Sequence, residues 1–286
     1  MQTPHSLGAQ KLPTEKLPVK LIALDLDDTL LDSKTNISDE NVNALRAAAQ
    51  KGIFIVICSG RAENAILPYV RRLDIAGLQA GRYIIAVNGC SVFDLHQRQQ
   101  IYCRTVTPDI LLHADEEAEK MGLRTEVYTP DTIFYRESTK WTHLDVDLCG
   151  LKGEAVPDYK EFLKKGFVKM LIPGEPEELQ ILQKKLKADF GSHATVFTSK
   201  PYFLEILPPK CGKGEAISWL SEHLGIAPVN TMGFGDSMND ESMIRLCGNG
   251  IAMVNGLDYI KDIADFVTEK DNNHSGVGDF IQKFVL

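Results

Sequence analysis

The chain has 286 residues, 24% of them charged, with 31 basic and 39 acidic side chains and a formal net charge of -8. That length suffices for two domains, each able to bury its own core, and the acidic balance argues against nucleic acid, which favours a basic stripe. No stretch reaches the ~20 apolar residues of a membrane span, and six dispersed cysteines without a Cys-x-x-Cys pair point to reduced thiols in a cytoplasmic protein.

Residues 1–18 contain Pro4, Pro13 and Pro18 and lack a hydrophobic segment. They do not have the pattern of a secretory signal and are expected to form a flexible extension. The largely apolar run from Val19 to Leu24 reads as a strand buried on both faces, as in a parallel sheet. Ligands of such sheets gather beyond the carboxyl ends of the strands, which is where Asp25 falls. In extended chain Asp25 and Asp27, two apart, project to the same side. An ordinary aspartate is ionised at neutral pH, so Asp25 can attack phosphorus without a helper base. Asp27, close to other carboxylates, would have its pKa raised, and so could protonate a leaving oxygen and later deprotonate water.

Ser38 to Gln50 reads as a helix with Val42, Leu45 and Ala49 on one face, Ser38 as N-cap and Asp39 and Glu40 in the first turn. Gly52 to Cys58 is a second buried strand. It ends in Ser59-Gly60-Arg61 before a helical stretch, Glu63 to Leu73, in which Pro68 would kink or restart the helix. Ser59 and the amides after it can hold a phosphate at a helix N-terminus, although taken alone Ser-Gly is also an ordinary turn or cap. Tyr83 to Val87 is a further strand, followed by Asn88-Gly89.

From about Ser91 to Thr198 the rhythm changes. Leu111 to Met121 and Glu178 to Phe190 read as helices; Arg124 to Tyr128, Thr132 to Arg136, Phe167 to Ile172 and Thr195 to Thr198 read as strands, with Thr129-Pro130-Asp131 as a hairpin turn. Strand pairs with helices suggest a separate α+β layer inserted into the core. The core is then expected to resume with Tyr202 to Leu207 and with Lys213, which opens an amphipathic stretch to Leu224. Lys213 could neutralise both Asp25 and a bound phosphate, or be a solvated lysine between turn glycines. Asn230 to Phe234 reads as a short strand leading to Asp236-Ser237-Met238-Asn239-Asp240, and Asn249 to Gly256 as another strand and turn. A last loop carries His274, expected to face solvent, before a short terminal helix.

The alternation of strands and helices implies a doubly wound, Rossmann-like parallel sheet covered on both faces, interrupted by an α+β insertion. The boundaries predicted are a core of residues 19–90 and 199–286 and an inserted domain of residues 91–198. Two or three aspartates facing a phosphate would repel it, so a hard cation is required, and oxygen-only ligands suit magnesium best.

Four segments in this order, around Asp25 and Asp27, Ser59, Lys213, and Asp236 to Asp240, resemble the haloacid dehalogenase (HAD) superfamily of aspartate-nucleophile phosphatases. The likeness is strongest to its Cof-like branch and extends from Leu21 to about Val277. It implies Asp25, Asp27 and Lys213 as catalytic residues, and Ser59, Gly60, Arg61, Asn88 and Asn239 on the phosphate or substrate. It further implies magnesium bound by the Asp25 and Asp236 side chains and the Asp27 main-chain carbonyl, with Asp240 behind them. By the same resemblance the insertion is the large α/β cap of Cof-like enzymes. Asp28 stands where many relatives have glycine.

The function expected is magnesium-dependent hydrolysis of a small phosphomonoester, a sugar phosphate or related metabolite, through an aspartyl phosphate. Two alternatives are a phosphomutase of the same superfamily and a phospho-accepting signalling domain. The second is disfavoured because an acid two positions beyond Asp25 would hasten loss of the phosphoryl group. A small phosphorylated metabolite is the expected partner, with no nucleic acid or membrane, and the chain is expected to be a monomer or weak homodimer.

Overall fold

The computed structural model describes residues 12–286. The chain begins with β1 (Leu21–Leu24), α1 (Asp39–Gln50), β2 (Phe54–Cys58), α2 (Glu63–Leu73), β3 (Tyr83–Ala86), β4 (Ser91–Asp94) and β5 (Gln99–Cys103). It continues with α3 (Pro108–Lys120), β6 (Glu126–Tyr128), β7 (Thr132–Tyr135), α4 (Lys140–Cys149), β8 (Lys152–Ala155), α5 (Tyr159–Leu163), β9 (Met170–Pro173), α6 (Pro176–Phe190), β10 (Thr195–Lys200) and β11 (Phe203–Leu207). It closes with α7 (Lys213–His223), β12 (Thr231–Gly235), α8 (Glu241–Leu246), β13 (Asn249–Ala252), α9 (Asp258–Ile263), β14 (Phe266–Val267) and α10 (Gly276–Phe284). Two compact units result. One holds the chain up to Gly60, Ile66–Ile101 and Gly212–Leu286, and the other Arg61–Ala65 and Tyr102–Cys211.

The first unit is built on an eight-stranded sheet of order β14-β13-β12-β1-β2-β3-β4-β5. The six strands from β14 to β3 run parallel and β4 turns back antiparallel to β3. From β1 the chain moves outward through β2 and β3, and after the insertion it returns on the other side through β12, β13 and β14. The crevice between β1 and β12 is therefore a topological switch point, the place where sheets of this kind bind ligands. Leu24 pairs with both Phe234 and Ile57, so Asp25, Ser59 and Asp236 all emerge beyond the same edge of the sheet. All four residues of β1 are wholly buried, which explains why it reads as continuous rather than alternating. Each of its leucine and isoleucine side chains contributes ~1.5–3 kcal/mol of burial. The helices α1 and α10 pack on each other, as do α7 and α8.

Ser38 caps α1 through Asn41, as its sequence implies. The helix α2 runs unbroken through Pro68, at the cost of one hydrogen bond that proline cannot donate. Part of the expected flexible extension is tied down: Leu17 N donates to Phe284 O at 2.8 Å and Asn230 Nδ2 to Pro18 O at 2.5 Å. Residues 1–11 of that extension lie outside the described residues.

The second unit has a six-stranded sheet of order β10-β11-β9-β6-β7-β8, antiparallel except for β7 and β8. Side chains alternate across it. Val127, Met170, Ile172, Leu204 and Ile206 meet Leu111, Leu179, Leu182 and Leu186 of α3 and α6, while Tyr128, Leu171 and Phe203 pack on the other face with Ala62, Ile133 and Leu151.

The strand pairing corrects the boundaries read from sequence. Tyr202 to Leu207, taken as the return of the core, forms β11 and pairs with β10 and β9 in the second sheet. Beyond residue 90, β4 and β5 complete the first sheet. Apolar alternation marks a strand but carries no label for its partner. In the second unit three elements escape a periodicity reading: α4, whose buried residues are the polar Thr142 and Asp145, β8, whose four residues are all exposed, and the single-turn α5. No helix among the described residues is long and apolar enough to cross a membrane.

Candidate active site

Asp25 begins where β1 ends. Its backbone is extended, and its N–H donates to Phe234 O at 3.1 Å, fixing it at the β1–β12 crevice. The chain then winds into a tight turn, with Leu31 N on Leu26 O at 2.8 Å and Asp28 at φ 57°. The extended run that would have pointed Asp25 and Asp27 to one side therefore gives way to the turn directly after Asp25. The turn separates their environments instead: Asp25 is 5% exposed, whereas Asp27 lies at the surface. Burying Leu26 and Leu30 in the turn is what overrides the strand continuation.

Lys213 is the first residue of α7 and is wholly buried. Its ammonium donates to Oδ1 of Asp25 and, at 2.5 Å, to Oδ1 of Asp240. Gly214 makes this possible: a Cβ there would lie 2.1 Å from the Ser242 carbonyl oxygen, so only glycine lets the start of α7 seat against α8. Gly214 N also donates to Ser242 Oγ at 3.0 Å. Asp240 spends its second oxygen on the amides of Asp236 and Ser237, at 3.0 and 3.1 Å. It braces the loop. Asp236 accepts from the Thr29 hydroxyl at 3.0 Å, which ties the β12 loop to the turn after β1.

Carboxylate oxygens of Asp25, Asp236 and Asp240 lie within 4.8 Å of one another, and the Asp27 carboxylate is not part of that cluster. Burial, followed by the charge of Asp240, raises the Asp25 acid well above the usual carboxylate range, against the opposing pull of Lys213. The same two causes raise Asp236 to about 7. For Lys213 burial alone would lower the ammonium, but Asp240 and Asp25 outweigh it and the net shift is upward. Once ionised, the three carboxylates against one ammonium leave an excess of negative charge held on oxygen alone. That donor set fits a hard divalent cation, with Asp25 and Asp236 as side-chain ligands, because both oxygens of Asp240 are already engaged.

Ser59 follows β2, is 1% exposed, and is held by its N–H on Ile85 O at 3.0 Å. Gly60 closes the first unit's segment there, and Arg61, half-buried, groups with the second unit. Asn88 follows β3; its Oδ1 accepts from Asn239 Nδ2 at 3.1 Å, and Asn239 in turn accepts from the Ser237 hydroxyl at 2.7 Å. Within the first unit, then, Asp25, Lys213, Asp236 and Asp240 form one connected cluster and Asn88 joins Asn239. Sequence reasoning missed Ser237, Ser242 and Asn255, whose Nδ2 donates to Asp28 O at 2.8 Å. Ser237 stood inside a segment already marked by its acids; nothing local distinguishes the other two. His274 lies exposed, with Nδ1 2.6 Å from Asp271 Oδ1. Cys58, beside the site, is fully buried, and burial first of all pushes its thiol well up, so it is not poised as a nucleophile.

A family model described as haloacid dehalogenase-like hydrolase matches residues 22–281. The 5-amino-6-(5-phospho-D-ribitylamino)uracil phosphatase YcsE of Bacillus subtilis (strain 168) is 31% identical over 274 residues, covering 95% of this chain and 98% of that protein. Phosphatase YwpJ of the same organism is 31% identical over 280 residues, covering 90% and 96%. A solved structure of a haloacid dehalogenase-like hydrolase from Bacteroides thetaiotaomicron has a TM-score of 0.84 at 28% identity, covering 93% of this chain and 99% of that one.

Proposed function

The chain belongs to the haloacid dehalogenase-like hydrolase family and is a phosphatase, and we propose that it hydrolyses a small phosphomonoester through a phosphoaspartate on Asp25. The observation that carries this reading is the placement of the Asp25 carboxylate: at the switch point of the sheet, bonded to Lys213, with Asp236 and Asp240 beside it. In the first step an Asp25 oxygen forms a bond to phosphorus, the ester oxygen leaves, and Asp27 gives that oxygen its proton. In the second, Asp27 takes a proton from water, the hydroxide oxygen bonds to phosphorus, and Asp25 is released with inorganic phosphate. Asp27 is suited to this exchange by its exposure, which keeps it in proton contact with solvent.

Lys213 offsets the charge of Asp25, and Ser59, Gly60 and Asn239 are the proposed phosphate contacts. Magnesium, held by Asp25, Asp236 and the Asp27 carbonyl, would supply the positive charge that lets a phosphate dianion approach these carboxylates. The name of YcsE supports a phosphorylated metabolite as substrate, and sugar phosphates belong to the same chemical class. The second unit, with Arg61, is proposed as the part that selects the leaving group, in the role of the family's cap. Since none of the six cysteines is in a disulfide, a reducing, cytoplasmic setting suits the protein.

The test is phosphate release from a panel of sugar phosphates, nucleotides and phosphorylated cofactor precursors, with magnesium or with chelator, by wild type and Asp25→Asn. Magnesium-dependent release that vanishes in the variant supports the proposal. Release that survives the substitution sinks it.

A further inference from the structure

Val87, Asn88 and Gly89 are three consecutive residues with left-handed backbone, at φ 50°, 51° and 90°. For a β-branched valine this is a true outlier, and such conformations persist only where the surroundings hold them. Here they are held from several sides. Cys90 N donates to Val87 O and Asn88 N to Ser59 O, each at 3.0 Å. A Cβ on Gly89 would stand 2.1 Å from the Gly212 carbonyl oxygen and 3.0 Å from Lys213 N, so the turn is pressed against the entry to α7. The Asn88 side chain lies over Gly60, whose Cβ, if present, would be 3.0 Å from Asn88 Oδ1. The strained turn thus touches the Ser59–Gly60 loop, the approach to Lys213 and Asn239, while bringing no charged group of its own.

We propose that Asn88 is a positioning residue that acts through Asn239. This rests on the phosphatase reading of the Asp25 site. Asn88 is only 3% exposed and its carboxamide oxygen is occupied by Asn239 Nδ2. Asn239 is half-buried, and its own oxygen is taken by Ser237. With both ends of that amide fixed, its second N–H is left pointing in one direction, as a single preset donor for the phosphate. Preset donors stabilise developing charge without reorganising during the reaction. The left-handed turn is what brings the Asn88 oxygen under Asn239, which gives the strain a function.

Asn88→Gly separates positioning from folding, because glycine adopts φ +51° without strain and the variant loses only the amide. We expect a melting temperature equal to or above that of wild type, with kcat/KM on the best phosphomonoester reduced at least about tenfold, mostly in kcat. Asn239→Ala should show a similar loss, and the double variant should be no more than about threefold worse than either. Wild-type kcat/KM in Asn88→Gly, losses that multiply in the double variant, or activity that falls only in step with melting temperature would each overturn the proposal. A second readout needs no turnover: the side-chain amide resonances of Asn239 should move toward random-coil positions in Asn88→Gly, and unchanged resonances would overturn the positioning role. If wild type released phosphate from no ester, the phosphatase reading would fail on its own and these resonances would still decide the question.

Discussion

Nζ of Lys213 lies 2.5 Å from Oδ1 of Asp240, and the same ammonium donates to Asp25, so one fully buried cation joins the proposed nucleophile to the brace of the β12 loop. Removing it leaves clustered carboxylates without a buried counter-charge. Lys213→Met should lower kcat at least ~100-fold and cost about 3–5 kcal/mol of stability near neutral pH, the range for breaking a buried ion pair. The stability cost should shrink near pH 5, where protons replace the lost ammonium. Urea melts at the two pH values check this, and an equal cost at both would contradict it.

Asp25→Asn removes the attacking oxygen's charge and should abolish turnover, by at least ~1,000-fold. Asp27→Asn should cost about 100- to 10,000-fold, the span for a lost general acid and base. Because Asp27 lies at the surface, its replacement should leave stability within about 0.5 kcal/mol. Steady-state rates and thermal melts on the same preparations separate the two effects, and a fully active Asp27→Asn would remove that residue from the proton transfers.

The acid of Asp236 is raised to about 7 from an ordinary 3.8, by burial first and then by Asp240. The folded, cation-free protein therefore binds a proton that the unfolded chain gives up at lower pH. The corresponding stability is whole below about 3.8 and is lost as pH rises through about 7, by at most roughly 4 kcal/mol at 1.36 kcal/mol per unit. Divalent-cation binding must displace that proton. Its affinity should therefore rise between about pH 6 and 8 with proton release, measurable by calorimetry in two buffers of different ionisation enthalpy. An affinity flat across this range would contradict the assignment.

Glu126, in the second unit, is wholly buried, with Thr142 and Asp145 beside its carboxyl group. Burial, then the charge of Asp145, raises it to about 8 from 4.5. By the same sign, its contribution to stability is complete below about 4.5 and is lost as pH climbs to about 8. Glu126→Gln, which cannot ionise, should match wild type near pH 4.5 and exceed it by several kcal/mol near pH 9, up to about 5 by linkage. Denaturation curves at both ends check it, and a variant less stable than wild type at high pH would show the Glu126 charge to be accommodated.

The fold and the candidate site were legible to different depths. Buried parallel strands such as β1 and β2 leave unbroken apolar runs, and acids stationed at their ends stand out, which is why Asp25 and Asp236, which the fold brings into one cluster, could be marked as candidates from sequence. The tight turn after Asp25 could not, because it is set by how Leu26 and Leu30 are buried and by Thr29 meeting Asp236 across the fold. The position of Tyr202 to Leu207 was misread because its partners β9 and β10 are chosen by non-local register. The helix α4 was unreadable because polar Thr142 and Asp145 face inward. Asn88 was marked as a substrate-side residue only through a resemblance; its hydrogen bond to Asn239 depends on a left-handed turn that composition does not encode.

The most direct test of the central claim is chemical trapping of the phosphoryl group. Wild type and Asp27→Asn would be mixed with a phosphomonoester that wild type turns over, quenched in acid within the first turnover, reduced with borohydride and digested for peptide mass spectrometry. Reduction converts a phosphoaspartate to homoserine, so homoserine is expected at position 25 and absent from Asp25→Asn. Phosphate release with no modified residue at position 25 in either protein would contradict covalent transfer through Asp25 and point to direct attack by water.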